Sequence, residues 1–325
     1  CDISLIYGKE MANKPRIIQI VGPTASGKTA FSVRLAQALG AEIINVDSMQ
    51  VYRDLAIGTD KPSPEQCQSV AIHGIDLIPL GPPMDASDFA SYAHRKIEEI
   101  ASRHHPCILS GGTGLYHRAI VHGLLDAPSR DDDIRAKLRA ERDALGIEAM
   151  YQRLCDIDPV GAARIYSTDW VRIERSLEYA TMTGQPLSAA QDAHGFRTDY
   201  VDRLAIGCTR PRPLLYEKIE KRLDEMWQSG IIEETRLMLD AGCDANQLPV
   251  KALGYRQAAM VLRGECSIDE GLALAKRETR RFAKRQLTWF RADKSVEWIE
   301  LPLNDEEFEA VCRKARDFLA ANESP

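Results

Sequence analysis

Ile17-Ile18-Gln19-Ile20-Val21 followed by Gly22-Pro23-Thr24-Ala25-Ser26-Gly27-Lys28-Thr29 is the stretch of this chain that decides its fold. The second part, here called the phosphate loop (residues 22–29), fits G-x-x-x-x-G-K-[ST], a loop whose backbone N–H groups cradle phosphate oxygens. The apolar run before it predicts a buried parallel strand, and the amphipathic run at 30–39 predicts a helix that ends at Gly40. Strand, loop and helix in this order aim backbone N–H groups and a helix N-terminus at a phosphate. Taken alone, the loop is typical of enzymes that bind ATP or GTP.

Two residues of this loop have predicted individual roles. Lys28 is expected to lie on the terminal phosphate of a di- or triphosphate. Thr29 is expected to hold a phosphate oxygen or Mg²⁺, which is the cofactor that this reading implies.

Length and composition describe a globular protein with one large or two modest domains. The chain has 325 residues, of which 44% are hydrophobic and 28% charged. No apolar run approaches the roughly 20 residues of a membrane span, and we find no secretion signal, so we expect no membrane partner and a cytoplasmic location. The eight cysteines are scattered without a C-x-x-C pair, which favours reduced thiols over a zinc site. The net charge of −6 argues against general nucleic-acid affinity but leaves room for a local basic surface.

The rhythm of the chain predicts an α/β core interrupted by helices. Up to residue 116 the pattern is β-α-β-α-β, which predicts a P-loop kinase-like parallel sheet with helices on both faces. Strands are expected at 41–48, 75–78, 107–110, 201–207 and 296–300. Helices of the core are expected at 87–100 with Ser87 as N-cap, and at 213–229, 231–241, 253–262, 268–290 and 306–320.

From residue 127 to 195 only helical patterns occur, at 131–145, 147–155, 159–165 and 169–182. We therefore expect an all-helical insertion domain at 128–198, within a catalytic core formed by 11–127 and 199–325. The chain begins with Cys1, and Met11 precedes a polar stretch. We expect the natural start at Met11, with residues 1–10 an upstream or non-native extension.

Asp47 is one of the two polar residues that end the second predicted strand, so it should lie at the same sheet edge as the phosphate loop, where open α/β sheets bind ligands. A hydrophobic run that ends in Asp also resembles the Mg²⁺-holding strand of an ATPase. In small-molecule kinases, however, an Asp at this place contacts the acceptor substrate. A carboxylate there can accept a proton from a nucleophile that attacks next to a diphosphate. The alternative is a turn or N-cap Asp with no chemistry.

Gly111-Gly112-Thr113-Gly114 follows the strand at 107–110 and predicts a glycine-rich turn. Its glycines admit close approach of another backbone or a ligand, and Thr113 offers a hydroxyl. No later hydrophobic strand ends in a clear Asp, which disfavours a motor-type ATPase with a firmly held metal and a positioned water.

A basic helix is predicted near the end of the core. Residues 276–291 contain seven Lys or Arg against one Glu, with Phe282, Leu287 and Phe290 as the apolar stripe. A charged, solvated helix face is the simplest interpretation. A helix with one sign of charge and interleaved Gln and Trp also suits contacts to an RNA backbone and bases. Residues 251–257 raise the same two possibilities, because a glycine lies there among Lys, Tyr and Arg.

Taken together and in this order, these motifs resemble the tRNA dimethylallyltransferase family, also called tRNA isopentenyltransferases, in its bacterial type. The resemblance rests on the phosphate loop, on Asp47-Ser48-Met49-Gln50-Val51-Tyr52, on Gly111-Gly112-Thr113-Gly114-Leu115-Tyr116 and on Lys284-Arg285-Gln286-Leu287-Thr288-Trp289-Phe290-Arg291. Gly58-Thr59-Asp60-Lys61-Pro62 and Gly254-Tyr255-Arg256-Gln257 add to it.

The resemblance implies transfer of a dimethylallyl group from dimethylallyl diphosphate to N6 of the adenosine next to the anticodon, in tRNAs that read U-initial codons. It implies that Asp47 takes the N6 proton, that Thr113 positions the acceptor base or the diphosphate, and that Arg222 grips the diphosphate together with the phosphate loop. The partners are then tRNA and dimethylallyl diphosphate, and we expect a monomer whose insertion domain clasps the anticodon stem-loop. The implied tRNA contacts are Asp47, Ser48, Met49, Gln50, Thr113, Arg135, Val171, Arg172, Ile173, Glu174, Arg175, Lys251, Ala252, Leu253, Gly254, Tyr255, Arg256, Lys284, Arg285, Gln286, Leu287, Thr288, Trp289, Phe290 and Arg291.

Three other functions stay open on the sequence. A small-molecule kinase would use Asp47 to bind an acceptor hydroxyl, but it leaves the basic helix without a role. An adenylate isopentenyltransferase would share the phosphate loop without needing residues 276–291. A nucleotide-gated RNA-binding module would bind tRNA without any chemistry at Asp47.

Overall fold

A computed structural model describes residues 14–67, 70–81, 83–125, 127–128, 130–195, 199–243 and 249–321. The expected extension at 1–10 and the expected start at Met11 lie outside the described residues. The described chain divides into two compact units, one formed by residues 14–121 and 200–321 and the other by His122–Asp199.

The larger unit is built on a six-stranded parallel sheet in the order β3-β2-β4-β1-β5-β6. The strand that leads into the phosphate loop is central, with Ile18 opposite Ile108 on one neighbour and Leu204 on the other. Because both faces of this strand are covered, its sequence is a nearly continuous apolar run. The strands are β1 (Arg16–Val21), β2 (Glu42–Val46), β3 (Ile72–His73), β4 (Cys107–Gly111), β5 (Asp202–Thr209) and β6 (Glu297–Glu300).

Helices cover both faces of this sheet, which confirms the predicted α/β class. On one face Ile18 and Ile20 pack in a cluster with Phe31 and Phe308. On the other face Val21 packs against Phe290. The helices of this unit are α1 (Lys28–Leu39), α2 (Pro64–Cys67), α3 (Ala86–Ser102), α4 (Gly114–His122), α10 (Arg212–Gln228), α11 (Ile231–Asp240), α12 (Tyr255–Leu262), α13 (Ile268–Arg291) and α14 (Asp305–Ala320).

Two local predictions for this unit are wrong. The strand expected at 75–78 lies earlier, at Ile72–His73, because Gly74 (φ 83°) turns the chain where a Cβ would come within 2.5 Å of Asn45 O. Ile78 forms only an isolated bridge with Tyr52. The N-cap of α3 is not Ser87 but Asp85, whose carboxylate accepts the N–H groups of Ser87 and Asp88.

The smaller unit is helical, as α5 (Asp132–Leu145), α6 (Ile147–Ile157), α7 (Pro159–Ala162), α8 (Trp170–Thr183) and α9 (Leu187–His194). Its boundaries at 122 and 199 compare with the 128–198 expected for the insertion. Helix α9 was missed because Gly184-Gln185-Pro186 was interpreted only as punctuation, whereas Pro186 also starts the new helix. None of the helices in the described ranges is long and apolar enough to cross a bilayer.

The interior of this helical unit holds an ion cluster around Glu178. Burial by itself raises the pKa of this carboxyl, but hydrogen bonds from Arg135, Arg175 and the N–H of Asp131 outweigh it and lower the pKa to about 2. Glu174 is likewise buried and accepts a hydrogen bond from Arg139 at 2.7 Å. These cations therefore stabilise the unit itself.

Candidate active site

A cavity of about 410 Å³ opens at the carboxyl end of β1, β2 and β4, where parallel α/β sheets bind ligands. It brings together Lys28, Thr29, Asp47, Thr113 and Arg222, which the sequence placed in one site. Lys251, Arg256 and Arg285 lie at the same cavity. Residues from six different elements or loops therefore converge on it.

The phosphate loop is held in shape by close contacts that only glycine permits. A Cβ on Gly22 would lie 2.4 Å from Cys208 O, and one on Gly27 would lie 2.7 Å from the guanidinium of Arg210. Arg210 in turn donates to Ser26 O at 2.8 Å. Gly27 (φ 94°) is the N-cap of α1 and supplies no side-chain cap, so the N–H groups of the first turn are left for an anion.

Lys28 is half-buried and lines the cavity, and burial lowers the pKa of its ammonium group from the usual 10.5. The cation of Arg222 lowers this pKa further, while Asp47 and Asp60 act in the opposite direction. The nearest bonded partner of Nζ is the carbonyl of Pro23, at 3.5 Å. An anion bound at this place would restore the charged form of Lys28.

Arg222 reaches the same place from α10. Its Nη1 lies 2.9 Å from a carboxylate oxygen of Asp60, and its Nη2 donates to Thr24 Oγ1 in the phosphate loop. Its buried Nε–H has no protein partner among the described residues. The guanidinium is therefore fixed beside the loop with one donor still available.

Asp47 combines both interpretations that the sequence left open. Its Oδ1 accepts the N–H groups of Met49 at 2.8 Å and Gln50 at 3.3 Å, so it does hold a turn. The residue also lines the cavity, and no residue within the described ranges donates a hydrogen bond to its Oδ2. One oxygen thus orients the carboxylate and the other is left for a ligand.

Thr113 ties the ends of two neighbouring strands together. Its Oγ1 accepts the N–H of Ser48 at 3.0 Å, and its own N–H donates to Val46 O at 3.3 Å. A Cβ on Gly111 would lie 2.0 Å from Val46 O, so only glycine allows this approach. The glycine-rich turn therefore fixes Thr113 next to Asp47.

The wall of the cavity is apolar between these polar groups. Leu223 and Met226 of α10, Phe282 of α13 and Leu253 line it. A small hydrophobic group attached to an anion on the phosphate loop would lie against these side chains.

The two halves of the basic helix α13 differ. In the first half, Lys276 pairs with Asp224 at 2.6 Å and Arg280 with Glu220 at 2.5 Å, and Arg277 and Arg281 both lie near Glu278. In the second half, no carboxylate of the described chain lies within salt-bridge distance of Lys284, Arg285 or Arg291. The cations of α13 that have no carboxylate partner in the described chain therefore lie at residues 284–291, a narrower stretch than the predicted 276–291.

Several side chains assigned to tRNA are buried and so are not available to a macromolecule. In the larger unit these are Tyr255 (0% exposed), Gln286 (7%) and Phe290 (4%). Phe290 packs on the sheet, and the Tyr255 hydroxyl donates to Glu234 at 2.8 Å. In the helical unit Ile173 belongs to the core, and Glu174 and Arg135 belong to the ion cluster. Their burial and existing partners do not favour direct RNA contacts from these side chains, and the six assignments stay predictions.

The other assigned side chains fall into two groups. Exposed ones suit a contact with RNA, and they are Val171, Arg172, Lys251, Arg256, Lys284, Arg285, Thr288, Trp289 and Arg291. The remaining ones are half-buried or contribute backbone, and they are Ser48, Met49, Gln50, Arg175, Ala252, Leu253, Gly254 and Leu287. Gln50 already donates to Thr59 O at 2.8 Å and Asp60 O at 3.1 Å, so its amide holds the loop that carries Asp60.

Sequence reasoning missed two carboxylates that support the site. Asp60 holds Arg222, and the signal for it was the Gly58-Thr59-Asp60-Lys61-Pro62 motif, to which no role was given. Glu234 accepts the N–H groups of Ala56, Ile57 and Gly58, which fixes the same loop. Glu234 lies 176 residues from Gly58 in sequence, and nothing local marks it.

Comparison with known proteins shows where such a site occurs. The sequence model of the IPP transferase family matches residues 50–293. The chain is 45% identical to the tRNA dimethylallyltransferase of Geobacter metallireducens, over 89% of this chain and 94% of that one. It is 42% identical to the protein of the same name from Geobacter sulfurreducens, over 94% and 99%. Among solved structures, the full-length tRNA isopentenylpyrophosphate transferase of Bacillus halodurans superposes with a TM-score of 0.71 at 35% identity, covering 95% of this chain and 98% of that one.

Proposed function

The chain belongs to the tRNA dimethylallyltransferase family, and from that premise we propose its reaction. It transfers a dimethylallyl group from dimethylallyl diphosphate to N6 of the adenosine directly 3′ of the anticodon, in tRNAs that read codons beginning with U. The observation that carries the proposal is the cavity at the sheet edge. Cations at the phosphate loop, apolar side chains and a carboxylate line it together, and these groups match a diphosphate, a prenyl chain and an amine that loses a proton.

The diphosphate end of the donor is bound by Lys28, Arg222 and the N-terminus of α1. As the C1–O bond of the donor breaks, negative charge develops on the leaving diphosphate, and fixed cations stabilise it. The unpartnered Nε–H of Arg222 and the free N–H groups of α1 suit this task because they need no rearrangement.

Mg²⁺ fits the same place. The exposed hydroxyl of Thr29 lines the cavity, and Mg²⁺ in proteins takes few protein oxygens beside phosphate oxygens and waters. Thr29 would hold the ion, which supplies further neutralisation of the diphosphate charge. Mn²⁺ can replace Mg²⁺ in a binding test that needs no activity assay. The paramagnetic signal of Mn²⁺ with diphosphate is compared between wild type and Thr29→Ala to test whether Thr29 holds the ion.

Asp47 lines the same cavity and acts on the acceptor. The N6 atom of adenosine attacks C1 of the donor, the N–C bond forms, the C1–O bond breaks, and Oδ2 of Asp47 accepts a proton from N6. Thr113, fixed by Ser48, positions the base. An adenosine in an anticodon loop must leave its stack to enter such a cavity, as in other enzymes that modify bases.

The cationic surface at 284–291 and the exposed Lys251 and Arg256 bind the tRNA backbone. Trp289 is 41% exposed and offers an aromatic face for a base. The enzyme acts as a monomer in the cytoplasm. Val171 and Arg172 of the helical unit stay a separate predicted RNA contact.

The decisive experiment incubates the purified chain with dimethylallyl diphosphate, Mg²⁺ and unmodified tRNA, and measures nucleoside masses. A gain of one dimethylallyl group on the adenosine next to the anticodon is expected. Equal or faster prenylation of free AMP would instead indicate an adenylate isopentenyltransferase. Turnover of ATP with phosphorylation of a small acceptor would indicate a kinase, for which the apolar wall has no role.

A further inference from the structure

Gln286 occupies an unusual place on the buried face of α13. That face consists of small and apolar residues apart from Thr279 and this amide, and its members are Gly271, Ala275, Thr279, Ala283, Gln286 and Phe290. A buried amide destabilises a fold unless its polar atoms are hydrogen-bonded. Gln286 is only 7% exposed, so the partners of its amide show why it is there.

Both ends of the Gln286 amide bond to loops of the candidate active site. Its Oε1 accepts the N–H of Thr24 in the phosphate loop at 2.9 Å. Its Nε2 donates to Gly112 O in the glycine-rich turn, also at 2.9 Å. The two loops leave the sheet from different strands, β1 and β4, and this one side chain bridges them.

The two bridged loops carry opposite halves of the chemistry. Thr24 accepts a hydrogen bond from Arg222, which belongs to the diphosphate end of the cavity. Gly112 precedes Thr113, which bonds to the N–H of Ser48 directly after Asp47, at the acceptor end. The amide therefore links the loop that holds Arg222 to the turn that braces the segment of Asp47 through Thr113 and Ser48.

We propose that Gln286 is a positioning residue for prenyl transfer, which holds the diphosphate loop and the acceptor turn at the separation that the reaction requires. The inference rests on the proposed function. It assigns Gln286 no contact with tRNA, although its neighbour Arg285 is exposed on the outer face of the same helix. Misplacement of reacting groups by about 1 Å can lower a rate about 100-fold, so loss of the bridge should act mainly on kcat.

The test compares Gln286→Ala with Arg285→Ala, using unmodified tRNA and dimethylallyl diphosphate. We expect Gln286→Ala to lower kcat about 100-fold, with tRNA Kd and its salt dependence within twofold of wild type. Arg285→Ala should raise the tRNA Kd and reduce its salt dependence, which Gln286→Ala should not do. Gln286→Glu keeps the acceptor for Thr24 N–H but loses the donor to Gly112 O, so it should also lower kcat, and it serves if the alanine variant does not fold.

Leu215→Ala is the control for a general loss of stability around α13. Leu215 belongs to the apolar cluster between α10 and α13 and is not among the residues that line the cavity. This variant should lower Tm without the fall in kcat at a temperature where it is folded.

Gly112→Ala probes the same bridge from its other end. A Cβ there would lie 2.6 Å from Nε2 of Gln286, while the next protein atoms are at 3.7 Å. As a single substitution, Gly112→Ala should therefore lower kcat, because its methyl group displaces the amide of Gln286. In the Gln286→Ala background the same methyl group has room, so adding Gly112→Ala should lower kcat little further.

The outcomes separate the two proposals. If wild type forms no prenylated tRNA, the proposed function fails, whatever residue 286 does. If wild type is active and Gln286→Ala raises tRNA Kd as Arg285→Ala does, the amide contacts RNA and the positioning role is wrong. The positioning role is also wrong if kcat is unchanged in both Gln286→Ala and Gln286→Glu. It is equally wrong if the losses of kcat from Gln286→Ala and Gly112→Ala simply add in the double variant.

Discussion

Near the amino end of β2, Glu42 is buried and accepts hydrogen bonds from His73 at 2.6 Å, His105 at 2.9 Å and two nitrogens of Arg103. At the carboxyl end of the same sheet, no carboxylate in the described part of the chain lies within salt-bridge distance of Lys28, and no residue there donates a hydrogen bond to Oδ2 of Asp47. Burial by itself raises the pKa of Glu42, yet these hydrogen bonds outweigh it and lower the pKa to about 2. Burial lowers the pKa of Lys28, and the net effect of its neighbours does not restore it.

The contrast shows that charge has two uses in this fold. A buried charge that the protein pairs completely contributes to stability, as at Glu42 and Glu178. A charge that the protein leaves unpaired at the ligand-binding edge is available for substrate. The two halves of α13 show the same contrast within one helix, since the cations of its first half are paired and those of its second half are not.

Asp47→Asn should have the largest effect. Asparagine keeps the oxygen that holds the turn at 48–50 but cannot accept the N6 proton. We expect kcat to fall about 10³-fold, within the range for loss of a general base, with tRNA Kd and Tm unchanged. Single-turnover kinetics with saturating tRNA measures this. Near-normal kcat in the variant would leave Asp47 with only its turn-holding role.

Glu42→Gln should act on stability alone. Removing the charge of one partner from a buried ion cluster is expected to lower the free energy of unfolding by about 3 kcal/mol. Urea unfolding measures the loss, and prenyl transfer by the folded variant serves as the control. A loss of activity without a loss of stability would contradict the assignment.

The pH dependence of this loss has a definite sign. Because the pKa of Glu42 lies below its usual 4.5 in the folded state, its contribution is complete above that pH and is lost as pH falls toward 2. The difference between wild type and Glu42→Gln should therefore shrink on acidification below about pH 4.5.

Arg285→Glu and Arg280→Glu form a matched pair on one helix. Arg285 has no carboxylate partner, whereas Arg280 already pairs with Glu220. We expect Arg285→Glu to weaken tRNA binding about tenfold and to reduce the salt slope by about one. Arg280→Glu should instead mainly lower Tm. Filter binding at several salt concentrations separates them, and equal losses of affinity would mean that the whole helix faces RNA.

Lys28 should make diphosphate binding depend on pH, the smallest of these effects. Burial lowers its pKa in the free protein, and a bound diphosphate raises it, so binding takes up a proton. Affinity for inorganic diphosphate should therefore fall as pH rises through the pKa of free Lys28, by less than about tenfold per pH unit. Lys28→Arg, which stays charged, is the control in calorimetry with buffers of different ionisation enthalpy. An identical pH profile in both proteins would refute the linkage.

What the sequence predicted well is local in the chain. The phosphate loop, the strand before it and Asp47 lie within 31 consecutive residues, and hydrophobic periodicity with the loop motif is enough to place them. Arg222 could be assigned only through the family resemblance, because its partners Asp60 and Thr24 are more than 160 residues away.

What the sequence predicted poorly depends on which face of a helix is buried. The resemblance assigned a continuous run at 284–291 to RNA, but a helix that packs on a sheet exposes only one face, so residues three and four apart along the other face are buried. The spacing of Ala275, Thr279, Ala283, Gln286 and Phe290 follows the period of a helix, so the burial of Gln286 could have been inferred. Its two hydrogen-bond partners could not, because they depend on how α13 packs on the sheet.

The glycine-rich turn has a consequence for how this family can vary. A Cβ on Gly111 would collide with backbone at Val46, whereas the three atoms nearest to one on Gly114 belong to the indole of Trp289, the closest at 2.3 Å. Backbone cannot be exchanged by mutation, but a side chain can. Among related sequences, position 111 should therefore stay glycine throughout, while a larger residue at position 114 should appear together with a smaller residue at 289. In a selection for function, substitutions at 114 should have second-site suppressors on α13, and substitutions at 111 should have none.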